Sequence, residues 1–478
     1  MSEEPFLRNH WSVVASNLVR SASIMGAAFL VSFYSGGDGM PREMVAGIFA
    51  AFLALMTVAI VIIWKKTKFY FREDEIVVER TTLFRSTTRI QYDRLASVNV
   101  EKDVVCRLLG ATKLSFNLNS SVNAARAEAY IVLKDPDAEA LRTEIASRMF
   151  GERRESVQAE PQEETSLVDV SVLDIFLHSF LGMPTPQFVG GMAMLLYSAY
   201  SQFTSALSIV AILFFIMDFF LPAVSSFFRL YGYRITRSGD TVRISSGFFS
   251  TRQDSFKLSK VNFVKVREPF ICRLIGKAIL EVEVVGTANS SGVPLLCPLK
   301  SKGVAMALFR ELLPEFECEA APSRQKGVAM AGSIFWAASV SAAAWAVCIL
   351  LSGHVAEGLY MGVLAAFAIA VTAVSIGWAV LSYRERRFSM DGSILMLVVG
   401  SYDRTTNYIL LDKIQFVEVT AGPILRMHGA ARCNVSMLST AGSASVRSGV
   451  FATEVLERLS SEVLARILDG RYDFRRFQ

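Results

Sequence analysis

Apolar residues are concentrated in three blocks along the chain, and each block is followed by a longer segment in which apolar and polar positions alternate. A helix needs roughly 20 mostly apolar residues to cross a hydrocarbon core about 30 Å thick. Such runs lie at residues 17–34, 44–64, 187–228, 328–351 and 359–381. Because one helix of about 42 residues would be twice as long as the bilayer is thick, the 187–228 run must turn back near residues 200–205. The pattern predicts three transmembrane helical hairpins, or six spans.

Basic residues beside the predicted spans indicate their orientation. The clusters that follow the first and third hairpins are Lys65, Lys66, Lys68, Arg384, Arg386 and Arg387. Of the three predicted outer turns, only the first contains a basic residue, Arg42. Since cytoplasmic loops carry the excess of Lys and Arg, both termini and all three long segments are expected in the cytoplasm. The first apolar run lacks a small-residue cleavage site, so no cleaved signal peptide is predicted.

Strands are predicted in each long segment, because valines at alternate positions are typical of a strand with one buried face. These valines are Val98, Val100, Val264, Val266, Val417 and Val419. Asp391-Gly392 supplies a tight turn between neighbouring strands. Each segment ends with an amphipathic helix, at residues 138–150, 304–313 and 453–468. Six or seven short strands followed by one helix predict an α+β domain built on a curled β-sheet or barrel.

One motif recurs at the same place in all three segments. An arginine is followed three residues later by a glycine, as Arg107 and Gly110, Arg273 and Gly276, and Arg426 and Gly429. The strand before each motif is preceded by a polar–basic pair, namely Asp93-Arg94, Ser259-Lys260 and Asp412-Lys413. Similarity at a long fixed period is the signature of a repeat. We interpret the motif as a structural strand feature that sets the phase of three hairpin-plus-domain units.

The repeat divides the chain into seven parts. They are an interfacial segment and first hairpin (1–64), a first domain (65–150), an acidic linker (151–166), an interfacial segment and second hairpin (167–230), a second domain (231–318), a linker and third hairpin (319–383), and a third domain (384–478). The interfacial segments, at 5–14 and 167–181, are interpreted as short amphipathic helices. The linker at 151–166 is rich in Glu and Gln, which is typical of a flexible segment.

The order of hairpins and domains, with the Arg–Gly motifs and the polar–basic pairs, resembles bacterial membrane proteins with membrane-flanked pleckstrin-homology-like (PH-like) domains, of the YdbT type. The resemblance extends over nearly the whole chain. Its third copy departs from the pattern, because Met427 and His428 replace two aliphatic residues. The resemblance implies a multi-pass protein of the bacterial inner membrane with three cytosolic PH-like domains. It also implies a membrane protein partner, including one of the same family, but supplies no catalytic residues.

The composition fits a membrane protein and disfavours several other classes. Mean hydropathy is +0.39, with 52% hydrophobic and 19% charged residues. The net charge of +5 is small and no long basic run is interleaved with aromatic residues, so nucleic acid is not expected as a partner. The six cysteines form no CxxC pair and the four histidines are widely spaced, which predicts no metal site and no disulfide framework. No known catalytic or phosphate-binding motif is found, so neither an enzyme nor a cofactor is expected.

Asp218 is the one carboxylate well inside an apolar run. Ionisable residues inside a membrane are functional candidates, and Pro222 could kink the helix and free a backbone partner for it. The alternative is that Asp218 lies near the cytosolic end of the span or pairs with a backbone group or with Ser225. A proton or ion path normally needs more than one such group.

The basic residues have two interpretations each. The clusters at the span ends either bind anionic lipid headgroups or only set the orientation of the spans. Arg85 and Arg404 occupy equivalent repeat positions, where the second repeat has Thr251 and Arg252. They are either ligands for an acidic peptide or lipid, or solvated charges on an exposed strand face.

The sequence as a whole favours a non-enzymatic membrane scaffold whose cytosolic PH-like domains bind membrane lipids or a partner protein. A role in envelope stress or toxin resistance is one biological form of that hypothesis. The alternative is a transporter or channel that uses the hairpin interfaces and Asp218.

Overall fold

The computed structural model describes residues 6–22, 42–82, 85–92, 95–118, 129–150, 165–200, 206–284, 294–352, 358–439 and 442–470. The chain forms two compact units. Unit 1 contains residues 1–166, 228–256 and 286–291, and unit 2 contains residues 167–227, 257–285 and 292–478.

The helices are named in chain order. They are α1 (Arg42–Lys66), α2 (Val104–Leu108), α3 (Asp135–Phe150), α4 (Val172–Leu181), α5 (Thr185–Tyr200), α6 (Ala206–Phe214), α7 (Leu221–Leu230), α8 (Phe270–Leu274), α9 (Lys302–Leu312), α10 (Val328–Ser352), α11 (Gly358–Glu385), α12 (Pro423–Met427) and α13 (Thr453–Leu468). A π-helical segment, Phe215–Phe220, joins α6 to α7. Residues 12–22 are also mainly helical.

Four helical stretches are long and apolar enough to cross a membrane: Ala46–Lys66, Val210–Leu230, Val328–Ser352 and Leu364–Glu385. They lie in the three predicted blocks. In the third block α10 and α11 pack on each other, and the Trp345 indole donates a hydrogen bond to the Thr372 hydroxyl at 3.2 Å. Of the other two predicted spans, most of 17–34 lies outside the described residues, and 187–200 belongs to α5, a helix of only 16 residues.

The strands also follow chain order. They are β1 (Thr67–Phe71), β2 (Glu75–Thr81), β3 (Arg85–Gln91), β4 (Leu95–Lys102), β5 (Ala111–Leu118), β6 (Ala129–Lys134), β7 (Thr165–Ser166), β8 (Arg234–Ser238), β9 (Thr241–Ser246), β10 (Thr251–Lys257), β11 (Val261–Glu268), β12 (Lys277–Val284), β13 (Leu295–Ser301), β14 (Ser323–Arg324), β15 (Arg387–Asp391), β16 (Ile394–Gly400), β17 (Arg404–Leu410), β18 (Ile414–Thr420), β19 (Ala430–Ser439), β20 (Gly442–Arg447) and β21 (Phe451–Ala452).

Each repeat contributes a three-stranded meander followed by a second antiparallel set of strands, and the sheets join successive repeats. In unit 1, β1-β2-β3 form one sheet and β6-β5-β4-β10-β9-β8-β7 form another. In unit 2 the sheets are β13-β12-β11-β17-β16-β15-β14 and β18-β19-β20, with β21 paired to β19. The second strand set of one repeat therefore continues into the meander of the next.

The predicted C-terminal helices are confirmed, and each supplies apolar residues to the interior. In α3, Leu141 and Ile145 pack against the β-strand residues Phe69 and Phe116. In α13, Leu456 and Leu459 join a buried cluster with strand residues of the third repeat. The buried face of α9 likewise contains Ala305, Leu308 and Leu312, as the three- and four-residue spacing predicts.

Candidate functional site

The junction between β11 and β17 in unit 2 joins the second repeat to the third. The two strands are antiparallel, and their pairing extends from Phe263 opposite Ile409 to Glu268 opposite Arg404. Phe263 is fully buried, and its ring belongs to the same cluster as Phe388, Leu395 and Ile409 of the third repeat. A phenylalanine of one repeat thus completes the core of the next.

A charge network closes the end of this junction. The Arg404 guanidinium donates a hydrogen bond from Nε to Glu268 Oε2 at 2.7 Å, and Lys302 lies 3.0 Å from Oε1 of the same carboxylate. The Glu268 side chain is 3% exposed. Glu385 lies 3.3 Å from Arg404 and 3.4 Å from Arg273. These contacts join charges of two successive repeats.

The electrostatics of Arg404 follow from these contacts. Burial alone lowers the pKa of its guanidinium, but the hydrogen bond and charge of Glu268, with the charge of Glu385, outweigh burial and raise that pKa above its ordinary value. Neither predicted interpretation of Arg404 describes it, because its acidic partners belong to this chain. Arg85, at the equivalent position in the first repeat, is different: its side chain is 72% exposed and pairs with Glu79 at 3.0 Å.

Asp403 binds two helix N-termini in unit 2. Its carboxylate accepts hydrogen bonds from the backbone N–H of Thr185 at 2.9 Å and of Phe270 at 3.0 Å, and another from the Thr185 hydroxyl. Unpaired N–H groups at a helix start are satisfied by such carboxylates, and the helix dipole favours the negative charge. Asp403 therefore fixes the beginning of α5 and α8 relative to the third repeat.

The β4–β10 junction in unit 1 repeats the same pairing. Thr251 lies opposite Lys102, Arg252 opposite Glu101, and Gln253 opposite Val100. Thr251 and Lys102 occupy the repeat positions of Arg404 and Glu268, so the two junctions have the same register. Arg252, the second residue of β10, pairs with Asp254 at 2.6 Å.

The Arg–Gly motif contributes to both junctions, although its local structure differs from the prediction. It forms a single helical turn (α2, α8 and α12), not part of a strand, because the chain must reverse between two antiparallel strands. Gly110, Gly276 and Gly429 end these turns with φ of +59°, +68° and +54°, values that glycine adopts without steric cost.

The motif arginines of the first two repeats reach the following repeat. Arg107 donates to the Phe248 carbonyl at 2.8 Å, and Arg273 forms the ion pair with Glu385. Arg426, in the last repeat, donates instead to the carbonyl of Ala421 in its own repeat at 2.9 Å.

The third repeat presents the same junction elements, but among the described residues no further repeat covers them. β18 is the equivalent of β4 and β11, and no described strand pairs with its outer edge. Phe416 occupies the repeat position of Phe263, but its side chain is 55% exposed. The edge of β18 with Phe416 is called the open junction surface below.

The predicted headgroup-binding residues lie in two different environments. Lys65 and Lys66 are exposed in the last turn of α1, and Arg384 is exposed in the last turn of α11. Lys68 is half-buried, with its Nζ 4.4 Å from the centre of the Phe6 ring. Arg387 is half-buried at the start of β15.

Arg386 is also half-buried, and its Nε donates to the Gly400 carbonyl at 3.4 Å. Burial, with the positive charge of Arg432, lowers the pKa of Arg386. The exposed members of the two clusters are therefore the better candidates for lipid contact.

A cavity of about 550 Å³ opens beside the β4–β10 junction in unit 1. Its lining includes Arg20, Arg229 and Arg252, together with Glu101 and Asp103. Arg229 is next to the last residue of the apolar stretch Val210–Leu230. Four cationic residues, Arg20, Lys113, Arg229 and Arg252, thus line this cavity, and one of them, Arg229, belongs to a membrane-spanning candidate.

Asp218 lies in the π-helical segment, four residues before Pro222. Proline has no N–H, so the carbonyl four residues earlier loses its helical donor. The side-chain amide of Gln187 in α5 donates to that carbonyl, the backbone oxygen of Asp218. Pro222 and Gln187 therefore give the distortion of this helix a backbone cause.

Among the described residues, no group of three or more His, Cys, Asp or Glu side chains is placed to hold a metal ion. Sequence reasoning missed Glu268, Glu385, Asp403 and Phe263. The recurrence of phenylalanine at positions 263 and 416 was an available signal for the last of these.

Comparison with protein families gives three matches to the bacterial PH domain, at residues 22–149, 177–315 and 334–467. Searches of curated proteins and of solved structures gave no match. The three matches follow the repeat seen in sequence and structure and together cover most of the chain. The protein therefore belongs to the bacterial PH domain family.

Proposed function

We propose that this protein is a non-enzymatic scaffold of the YdbT type that crosses the bacterial inner membrane six times and binds a partner protein through its cytosolic PH-like domains. The observation that carries the proposal is the open junction surface. The described residues form this type of surface three times, and a neighbouring PH-like repeat covers it twice. No described strand covers the third surface, which we propose as the site for a partner.

Two features of β18 favour the binding of a partner: the backbone groups at its edge and the exposed side chain of Phe416. An edge strand presents unpaired backbone N–H and C=O groups, which favour the addition of another strand. Phe416 also exposes an aromatic ring whose equivalent, Phe263, is fully buried. Aromatic residues in such positions contribute strongly to protein interfaces when a partner buries them.

The proposal is tested by affinity purification of the tagged chain from membranes in mild detergent, followed by mass spectrometry. We expect Phe416→Asp to lose the co-purifying partner, because it places a charge where the partner would bury a ring. Leu464→Asp is the matched control, since Leu464 is 56% exposed on α13 of the same repeat. Equal recovery of the same proteins with both variants and the unaltered chain would contradict the proposal.

We further propose that anionic lipid headgroups bind near the span ends. Lys65, Lys66 and Arg384 are exposed there, and each cation near a membrane surface contributes about 1 kcal/mol to binding anionic lipid. The cavity with Arg20, Arg229 and Arg252 gives a second place for a headgroup. Lipid analysis of the purified protein should show less anionic lipid in a Lys65→Gln, Lys66→Gln, Arg384→Gln variant than in the unaltered chain.

A transporter or channel is the alternative function, and it depends on Asp218. The Pro222–Gln187 arrangement gives the helix distortion a backbone cause, so it does not favour transport. Flux of ions into proteoliposomes that is abolished by Asp218→Asn would favour this alternative.

At the cellular level, we propose a role for the scaffold in envelope stress or toxin resistance. A deletion strain with unchanged sensitivity to membrane-active peptides would argue against that role.

A further inference from the structure

The two covered junctions obey one pairing rule. In each, the first strand of a repeat's second set pairs with the third meander strand of the following repeat, as β4 with β10 and β11 with β17. The two junctions have the same register. Lys102 lies opposite Thr251 in the first, and Glu268, which occupies the repeat position of Lys102, lies opposite Arg404 in the second. The pairing is therefore a property of the repeat and not of one loop.

The rule leaves two complementary edges. Among the strands that the structure describes, no meander strand covers the outer edge of β18, and no strand of a second set covers the outer edge of β3. Among the described strands, β3 pairs only with β2. The fourth residue of each of these meander strands shows the difference in burial. Asp254 of β10 and Asn407 of β17 are buried, whereas Thr88, at the equivalent position of β3, is only half-buried.

We propose that β18 of one copy of this chain pairs with β3 of a second copy, so that the internal junction continues between molecules. The inference rests on the proposed function, whose partner it identifies. The shared register places Ala421 opposite Arg85, Val419 opposite Thr87, and Phe416 opposite Ile90 of the second copy. Phe416 then enters the core of the first repeat as Phe263 enters that of the third.

The two edges suit each other in backbone and in charge. Neither strand contains proline or glycine, so each residue can take part in the ladder of hydrogen bonds. The charged residues of β3 are Arg85 and Arg89, both exposed, whereas the one charged residue of β18 is the exposed Glu418. Ile90, opposite Phe416, belongs to the buried cluster that also contains Phe69 and Ile76.

The contact joins two different surfaces, so it is heterologous. A heterologous contact produces a closed ring when the rotation between copies closes, and an open row when it does not. Because every copy has the same orientation in the bilayer, either assembly extends in the plane of the membrane.

The test is disulfide crosslinking between two differently tagged full-length copies, one with Thr87→Cys and one with Val419→Cys. Both copies carry Cys318→Ser, which removes the partly exposed native thiol. The proteins are co-expressed, and the membranes are treated with a mild oxidant that accepts the two electrons released by the thiols. A disulfide between the two tagged copies is expected.

Two controls fix the interpretation. Val266→Cys with Thr406→Cys in one chain places cysteines at the same repeat positions of the covered junction, and should form a disulfide within the chain. Thr87→Cys with Glu418→Cys in two copies is one residue out of register and should crosslink much less. Absence of the intermolecular disulfide when the internal control forms would overturn the inference.

A second measurement separates this inference from the proposed function. The mass of the chain in lipid nanodiscs or mild detergent should fall to that of a monomer on Phe416→Asp and remain oligomeric on Leu464→Asp. A monomeric unaltered chain that still loses a different co-purifying protein on Phe416→Asp would overturn the second-copy inference and retain the partner-binding function. A disulfide found only within single chains that carry both Thr87→Cys and Val419→Cys would also overturn it.

Discussion

Glu268 shows how one residue can determine a contact between repeats. Its carboxylate is almost inaccessible to solvent and is paired with both Arg404 and Lys302. A buried charge is tolerated only when paired, because desolvation costs several kcal/mol per ion. The stability of this junction therefore depends on all the charges being present together.

Neutralising Glu268 should destabilise unit 2. We expect Glu268→Gln to lower the free energy of unfolding by about 2–4 kcal/mol, because Arg404 and Lys302 lose their shared partner. Thermal unfolding of the detergent-solubilised protein measures the effect. Glu454→Gln, an exposed glutamate on α13, is the control and should change stability by less than about 0.5 kcal/mol.

Asp174 should make stability depend on acid pH. Although burial raises its pKa, hydrogen bonds from Lys300 and Ser171 outweigh burial and hold that pKa at about 2, below the ordinary 3.8. Because the folded pKa is depressed, the stabilisation is complete above about pH 4 and is lost as pH falls toward 2. The difference corresponds to about 2 kcal/mol.

Unfolding of the unaltered protein and of Asp174→Asn, compared from about pH 6 to about pH 2, tests this expectation. The unaltered protein should be the more stable at the upper end, and the two should converge at the lower end. A constant difference over the whole interval would contradict it.

At the scale of elements, the periodicity of apolar residues predicts the positions of helices and strands but not which strands pair between repeats. The helix α13 begins and ends where the three- and four-residue spacing of its leucines places it. Alternating valines located β4, β11 and β18, because alternation shows which face of a strand is buried. The alternation of valines does not show which strand covers the edge of another. Phe263 and Phe416 therefore have similar sequence surroundings, although the first is fully buried and the second is exposed.

The helical turn of the Arg–Gly motif gives a prediction at this scale. Gly276→Ala should lower stability by about 1–2 kcal/mol, because an alanine at φ +68° is strained even though no atom lies within 4 Å of the added methyl group. Gly303→Ala is the matched control within α9, where the open helical position should make alanine slightly stabilising. Equal unfolding temperatures for the two variants would count against a strained position.

At the scale of the whole molecule, composition and apolar runs predict membrane association, and the motifs predict three repeated α+β domains, which the resemblance to a known family identifies as PH-like. The charge partners were less accessible, since Glu268 and Arg404 are 136 residues apart and only the fold brings them together. Asp218 is a functional candidate in the sequence because a carboxylate in an apolar run is rare. In the structure, the backbone oxygen of that residue accepts a hydrogen bond from the Gln187 side chain.

The predicted orientation of the chain across the inner membrane can be tested by labelling of cysteines. In cells whose outer membrane has been made permeable, a cysteine at Glu357, in the predicted third outer turn, should react with a maleimide that cannot cross the inner membrane. A cysteine at Ser461 of α13 should react only after the inner membrane is opened. Both variants carry Cys318→Ser, and labelling of Ser461→Cys in intact spheroplasts would contradict a cytosolic third domain.

The sharing of sheets between repeats has a consequence for biosynthesis. β4 ends at Lys102, but its partner β10 begins only at Thr251, after the apolar stretch Val210–Leu230 has been made. At about 5–20 residues per second, the ribosome needs roughly 7–30 s to synthesise the intervening chain. During that interval β10 is not available to cover the edge of β4. Synthesis of the apolar stretch Val210–Leu230 therefore precedes completion of the first sheet, and a delay before β10 is made would leave this edge exposed to chaperones and proteases.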